Sequence, residues 1–197
     1  MKPVRVITGT ALPLDRSDVD TDQIIPSDWL KRVERTGFEQ GLFSEWREDP
    51  GFVLNDPRFA DARILVAGPN FGTGSSREHA VWAIQQYGFE AVISPRFGDI
   101  FRNNAAKNGL VPVQVSEATA RSLFLWLDSH PAIEIIIDVE ELFMVCPVAG
   151  IKVDFPLDPA VQHRLLEGLD DIGLTLAQTD AIDAFEAARP AWMPSLA

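Results

Sequence analysis

Residues 63–88 read Arg-Ile-Leu-Val-Ala-Gly-Pro-Asn-Phe-Gly-Thr-Gly-Ser-Ser-Arg-Glu-His-Ala-Val-Trp-Ala-Ile-Gln-Gln-Tyr-Gly. Arg63–Ala67 is a short aliphatic and β-branched run, which fits a strand buried on both faces. Gly68 to Gly74 makes a tight loop. Ser75–Tyr87 predicts a helix, with Ser75 at the N-cap, Glu78 at capping-box spacing and Gly88 just past the end. Strands and helices go on alternating downstream, without an internal repeat. Ala91–Ser94 is a second buried strand, Asp99 is placed to cap a helix over Ile100–Asn108 stopped by Gly109, and Leu110–Val115 is a further strand. Glu117–Ser129 is helical, Ile133–Ile137 and Leu142–Val145 read as paired strands, and Val148–Phe155 follows as another. Strands and helices alternating over 63–129, with strands afterwards, predict an α/β fold with a mixed sheet.

Upstream, Val4–Thr8 reads as a first strand. Pro13 to Gln23 reads as a loop crowded with carboxylates, closed by Ile24-Ile25-Pro26. Trp46 to Pro57 carries two prolines and Gly51 and reads as an irregular excursion. Pro159 to Ala188 is helical, in two pieces split around Gly173, and Arg189–Ala197 is a loose tail.

The 197 residues predict one domain with a sizeable appendage. Seventeen Lys and Arg against 29 Asp and Glu leave a net charge of −12, which disfavours general binding to nucleic acid or to an anionic membrane. The single cysteine, Cys146, excludes an internal disulfide and any site built from several cysteines of this chain. The opening residues carry no long apolar run, so the expectation is a soluble cytoplasmic protein without a signal peptide. The charge is uneven. Arg63, Arg77, Arg96, Arg102 and Lys107 outnumber Glu78, Glu90 and Asp99, whereas residues 151–197 carry a net −5. The cations collect beside the glycine loop.

That loop carries the chemistry. Gly72 and Gly74 permit close backbone approach, the first turn of the following helix offers free N–H groups, Ser75 and Ser76 add hydroxyls, and Arg77 adds a forked cation. Together they suit a small carboxylate or phosphate. Several standard readings fail on spacing. Gly72-Thr-Gly74 lacks the third glycine of the dinucleotide fingerprint, no Gly-Lys-Ser/Thr follows, and there is no Gly-x-Ser-x-Gly elbow. Asp18, Asp20 and Asp22 begin like a calcium loop, but Gln23 and Trp29 stand where Gly and Glu are required. His79, His130 and His163 are scattered, which disfavours zinc.

Three separated motifs carry a resemblance: Asp18-Val-Asp-Thr-Asp-Gln-Ile-Ile-Pro26, Asn70 to Ala80, and Phe97-Gly-Asp-Ile-Phe-Arg-Asn-Asn-Ala-Ala-Lys-Asn-Gly-Leu110. In this order the chain resembles the family of 3-isopropylmalate dehydratase small subunits, in the aconitase superfamily. Leu30-Lys-Arg-Val-Glu-Arg-Thr-Gly-Phe38 is similar to that family rather than to aconitase proper. The resemblance implies the β/β/α three-layer swivelling domain over residues 1–170; residues 171–197 are less tied to the family pattern and read, from their own sequence, as a helical C-terminal extension and loose tail. It implies interconversion of 2-isopropylmalate and 3-isopropylmalate by dehydration and rehydration in leucine biosynthesis, as a heterodimer with a large subunit. The [4Fe–4S] cluster would lie on that partner, with no metal or cofactor on this chain. Ser75 would be the base, taking the proton from the carbon next to a carboxylate. Ser76, Arg77, Asp22, Thr21 and Gly74 would bind substrate, and Leu30, Lys31, Arg32 and Arg35 would lie in the segment that selects the isopropyl group. Thr73 departs from the cysteine frequent at its position. A homoaconitase or methylmalate-type hydro-lyase subunit, and a carboxylate-binding module without chemistry, remain open alternatives.

Overall fold

The computed structural model describes residues 1–190 and 192. Among the described residues seven strands form one sheet in the order β4-β3-β2-β1-β5-β6-β7. They are β1 (Val6–Leu14), β2 (Ile64–Ala67), β3 (Ala91–Ser94), β4 (Val111–Gln114), β5 (Glu134–Asp138), β6 (Phe143–Cys146) and β7 (Ile151–Asp154). β1 to β4 are mutually parallel, and β5 to β7 run antiparallel. The mixed α/β sheet expected from the sequence is the one observed.

The burial patterns follow from the pairing. β2 and β3 are buried at every position, as parallel strands covered on both faces must be. β5 and β6 alternate buried and partly exposed residues, so one face of the antiparallel half looks outward. Two apolar clusters line the sheet. Leu12, Leu14, Leu65, Ala67 and Val92 pack against α2 (Glu78–Tyr87), α3 (Asp99–Asn108) and the stretch from Ile24 to Ala62. On the other face, Ile7, Ile64, Val66, Ile93 and Val113 share a cluster with Leu123 and Leu127 of α4 (Glu117–Ser129), Leu165 of α5 (Pro159–Glu167), and Ile135, Ile137 and Met144. Residues from both halves meet in one cluster, so the sheet curls onto itself. The result is the expected β/β/α layering with α4 and α5 added on the curled side. Right-handed crossovers explain the sidedness: β2-α2-β3-α3-β4 steps outward in one direction and leaves both helices on one face. α4 returns toward β5, beyond β1, on the other.

Several boundaries differ from expectation for identifiable reasons. β1 runs to Leu14, so Pro13 is a strand residue. The Thr10 carbonyl accepts from Arg63 N–H, so residues 10, 12 and 14 face β2 while Pro13 faces the other edge. β5 has ended there, opposite Thr10, so the missing N–H leaves no broken ladder bond. The excursion from Ser27 to Phe59 winds through five short 3₁₀ turns and buries Phe38, Phe43, Phe52, Leu54 and Phe59, so it is irregular but part of the core. α3 is capped by Gly98 without a side-chain bond, and Asp99 is its first residue.

The C-terminal region forms three helices rather than two: α5, α6 (Asp171–Leu176) and α7 (Thr179–Ala187). Gly168 ends α5 in the left-handed region. Asp170 caps α6, its carboxylate accepting from Gly173 N–H at 2.7 Å, so Gly173 lies inside a helix. Most of the tail expected over 189–197 lies outside the described residues.

Asp171 anchors α6 by pairing with Arg164 at 2.8 Å and Lys107 at 3.3 Å. Those two cations, Arg164 first, hold its carboxyl below the usual carboxylate range. A lowered folded-state pKa stabilises above the unfolded value, about 3.9, and that contribution disappears as pH falls through the folded value. The protection of α6 amides, taken relative to their intrinsic exchange rates, should therefore fall below about pH 4. Asp171→Asn should show the lower protection already at pH 7, with β2 and β3 unchanged.

Candidate active site

Three loops meet at the carboxyl ends of β1, β2 and β3, where open parallel sheets place ligands. The one-turn helix α1 (Thr21–Ile24) follows β1, residues 68–77 follow β2, and residues 95–98 follow β3. Backbone bonds knit them together. Gly72 N–H donates to Val19 at 2.7 Å, Phe71 N–H donates to Arg96 at 3.0 Å, and Gly98 N–H donates to Phe71 at 2.9 Å. The buried Ser94 hydroxyl lies 2.8 Å from the carbonyls of Gly68 and Arg96. Gly72 is required at the centre. It sits at φ +75°, and a Cβ there would collide with the Phe101 side chain.

α2 begins at Glu78, three residues later than expected, and its cap position is Arg77, without a side-chain cap bond. The expected capping box at Ser75 and Glu78 does not form. Gly74 lies at φ +90°, and the Ser75 carbonyl is held by Thr21 Oγ1 at 2.9 Å, which keeps the segment out of the helix. The Glu78 carboxylate accepts instead from Asn108 Nδ2 at 2.9 Å. A capping box does exist on α1. The Asp20 carboxylate accepts from Gln23 N–H at 2.8 Å, and Gln23 Oε1 accepts from Asp20 N–H at 2.9 Å. The Asp-x-x-Gln spacing signals it in the sequence, but the surrounding carboxylates read only as a loop.

Most of the expected residues come together. Arg77 is only 16 % exposed, and its Nη1 pairs with Asp22 Oδ1 at 2.5 Å and donates to the Ile25 carbonyl at 3.5 Å. Asp22 is 56 % exposed. Gly74, Ser75 and Ser76 are exposed beside them. The Thr21 bond to Ser75 runs through the Ser75 carbonyl and does not engage its hydroxyl. Thr21 is 2 % exposed, and its hydroxyl donates to the Ser75 carbonyl within the loop cluster.

The second group is held elsewhere. Lys31 pairs with Asp28 at 2.8 Å, which pulls the Asp28 carboxyl below its usual range and pushes the Lys31 ammonium up. Arg32 donates to the Gly37 carbonyl and lies over Trp29, Arg35 lies over Trp82, and Leu30 packs on the core. Among the described residues, no hydrogen bond or ion pair joins these four to Ser75, Ser76 or Arg77. A groove of about 400 Å³ between α3 and α5 is lined by Ile100, Asn104, Val161 and Leu174, with none of the expected site residues. The candidate site is an open face. Cys146 is buried in β6, where burial pushes its thiol up and away from a reactive thiolate. Among the described residues, no three His, Cys, Asp or Glu side chains are grouped to hold a metal ion, and no helix is long and apolar enough to cross a membrane.

This fold and loop cluster define a class. Residues 1–118 match the family described as the aconitase C-terminal domain. The solved structure of a 3-isopropylmalate dehydratase from Methanocaldococcus jannaschii superposes with a TM-score of 0.65, at 26 % identity, over 92 % of this chain and 99 % of that one. Residues 171–197 match the family described as the C-terminal domain of the 3-isopropylmalate dehydratase small subunit, so the extension carries a family pattern that the three motifs did not reveal. The 3-isopropylmalate dehydratase small subunit of Frankia alni is 60 % identical over 99 % of both chains, and that of Acidothermus cellulolyticus is 60 % identical over 99 % of this chain and 98 % of its own. The chain belongs to the 3-isopropylmalate dehydratase small-subunit family.

The knit of loops at Gly72 makes a quantitative prediction. Gly72→Ala adds left-handed strain of about 1–2 kcal/mol to overpacking of about 1–3 kcal/mol against Phe101. Chemical denaturation should report a loss of about 2–5 kcal/mol on the same scales.

Proposed function

We propose that this chain is the small subunit of a hydro-lyase that interconverts 2-isopropylmalate and 3-isopropylmalate in leucine biosynthesis. The carrying observation is the exposed Ser75 two residues from the sheltered Arg77 fork, on a face that the described residues leave open. An open face cannot exclude water, and proton abstraction next to a carboxylate needs water excluded. That supports a half-site closed by a large, cluster-bearing partner in a cytoplasmic heterodimer. The [4Fe–4S] cluster is assigned to that partner because this chain has one thiol, buried in β6. Residues 1–170 act as the swivelling domain and 171–197 as an extension outside the site, a division supported by the exposed surfaces of α6 and α7.

In this reading Ser75 Oγ takes the proton from the carbon beside a substrate carboxylate and returns one on rehydration. Serine is a weak base at its ordinary pKa, so its anionic form needs electrostatic support. The Arg77 charge and the uncapped start of α2 supply it from the same segment. Arg77 also offers a bidentate fork to the carboxylate, with Asp22 fixing its Nη1 corner. The hydroxyl of Ser76 and the backbone at Gly74 border the same face. Lys31, Arg32, Leu30 and Arg35 lie in the preceding excursion, where they serve substrate selection once the partner closes the site.

Assayed with its large subunit, the wild-type chain should turn over isopropylmalate in preference to the shorter and longer hydroxy-diacids of homoaconitase and methylmalate-type enzymes. Ser75→Ala should lower kcat by about 10²–10⁴-fold. Arg77→Lys keeps the charge and loses the fork, and should raise KM by about 10–100-fold. Near-normal turnover by Ser75→Ala would sink the assignment, and ligand binding by the lone chain without any turnover would favour a binding module.

A further inference from the structure

Gly74 stands immediately before Ser75 at φ +90°. Glycine is the most permissive joint in a chain, so a base attached to one would swing unless something held it. Steric packing does not hold it. A Cβ built on Gly74 would meet Asp20 Cβ at 3.5 Å and Thr21 Oγ1 at 3.6 Å, which is ordinary contact. Two hydrogen bonds from one residue do. Thr21 N–H donates to the Thr73 carbonyl at 2.9 Å, on one side of the glycine, and Thr21 Oγ1 donates to the Ser75 carbonyl at 2.9 Å, on the other. Thr21 is 2 % exposed, one of two buried polar or charged residues among those described. Its own position is set by the Asp20–Gln23 capping box that closes the turn around it. The next residue, Asp22, pairs with Arg77. A single helical turn therefore fixes both ends of the segment that carries the serine and the arginine.

We infer that Thr21 is a positioning residue for Ser75: it brackets the Gly74 joint and aims the Ser75 hydroxyl, without touching substrate. The inference rests on the reading of Ser75 as the base. Valine has the shape of threonine without the hydroxyl, so Thr21→Val keeps the packing, retains the N–H bond to Thr73 and frees the Ser75 carbonyl. Misplacement of a reacting group by about 1 Å costs on the order of 10²-fold, which sets the scale of the effect.

The test uses the reconstituted complex with its large subunit and isopropylmalate, comparing wild type, Thr21→Val, Thr21→Ser and Ser75→Ala. Thr21→Val should lower kcat by roughly 10–100-fold with KM within about threefold of wild type, and Thr21→Ser should restore kcat to within about threefold. A rise in KM at unchanged kcat would make Thr21 a substrate contact and overturn the inference. Normal kcat and KM with only a lower melting temperature would make it structural, which also overturns it. If Thr21→Val does not assemble, Gln23→Ala opens the capping box and should lower kcat several-fold at constant KM, and an unchanged kcat there counts against the inference. Ser75→Ala separates the two ideas. Activity in Ser75→Ala removes the base, whereas inactive Ser75→Ala beside a normal Thr21→Val removes only the positioning role.

Discussion

The split pairing of β1 is the constraint on which the rest of the molecule depends. Its first half, Val6 to Thr10, pairs antiparallel with β5, and its second half, Ala11 to Leu14, pairs parallel with β2 on the opposite edge. One nine-residue strand thus joins a parallel half-sheet to an antiparallel one. The stagger lets the antiparallel half bend away and fold its apolar face onto the cluster around Ile64, Val66 and Ile93. It also ends β5 before Pro13, which allows a proline in a central strand. The chain leaves β1 on the same side as it leaves β2 and β3. That shared exit is why residues far apart in sequence converge on one face.

At that face the backbone has to satisfy itself without a ladder. Buried carbonyls and amides need partners, and here they come from the neighbouring loop. Val19, Phe71 and Arg96 accept across loops, Ser94 stands between Gly68 and Arg96, and the Asp18 N–H donates to Pro69. The interior of the loop cluster is filled by Phe71, Phe97 and Phe101, whose rings pack edge-on and stacked. What remains outside is a firm polar surface with the serine, the arginine and the aspartate. A hydrogen-bonded support whose front the described residues leave open fits the proposed closure by a partner chain.

The parts of this architecture legible in the sequence are those specified locally. The buried runs Ile64–Ala67 and Ala91–Ser94, the helix Glu117–Ser129 and the stop at Gly109 follow from patterning and caps, and the structure places them where those signals lie. The readings that fail are contests between a local signal and a distant partner. Ser75 with Glu78 has capping-box spacing, yet Thr21, 54 residues away, takes the Ser75 carbonyl and Asn108 takes Glu78. Pro13 reads as a turn until one sees that β5 ends before it. At the site, the residue types and the double glycine are legible. The pairing of Asp22 with Arg77 and the burial of Thr21 are not, because both depend on how α1 docks against the loop after β2.

The charge distribution acquires its meaning from that docking. A net −12 chain would repel a dicarboxylate at long range, and the positive balance near the glycine loop only partly offsets this. Arg77 is itself paired with Asp22, so the field at Ser75 in the open chain is that of an ion pair rather than of a free cation. In contact with water such a pair supports an alkoxide weakly, because the effective dielectric is high. Covering the face removes water and strengthens every interaction within it, and an arginine fork has donors enough to serve Asp22 and a substrate carboxylate together. On the proposed reading, the Arg77–Asp22 pair that lies half in water in the lone subunit becomes, on assembly, the electrostatic support for Ser75 as the base. Catalysis would then be confined to the complex by the physics of solvent exclusion, without any rearrangement of the loops around Gly72.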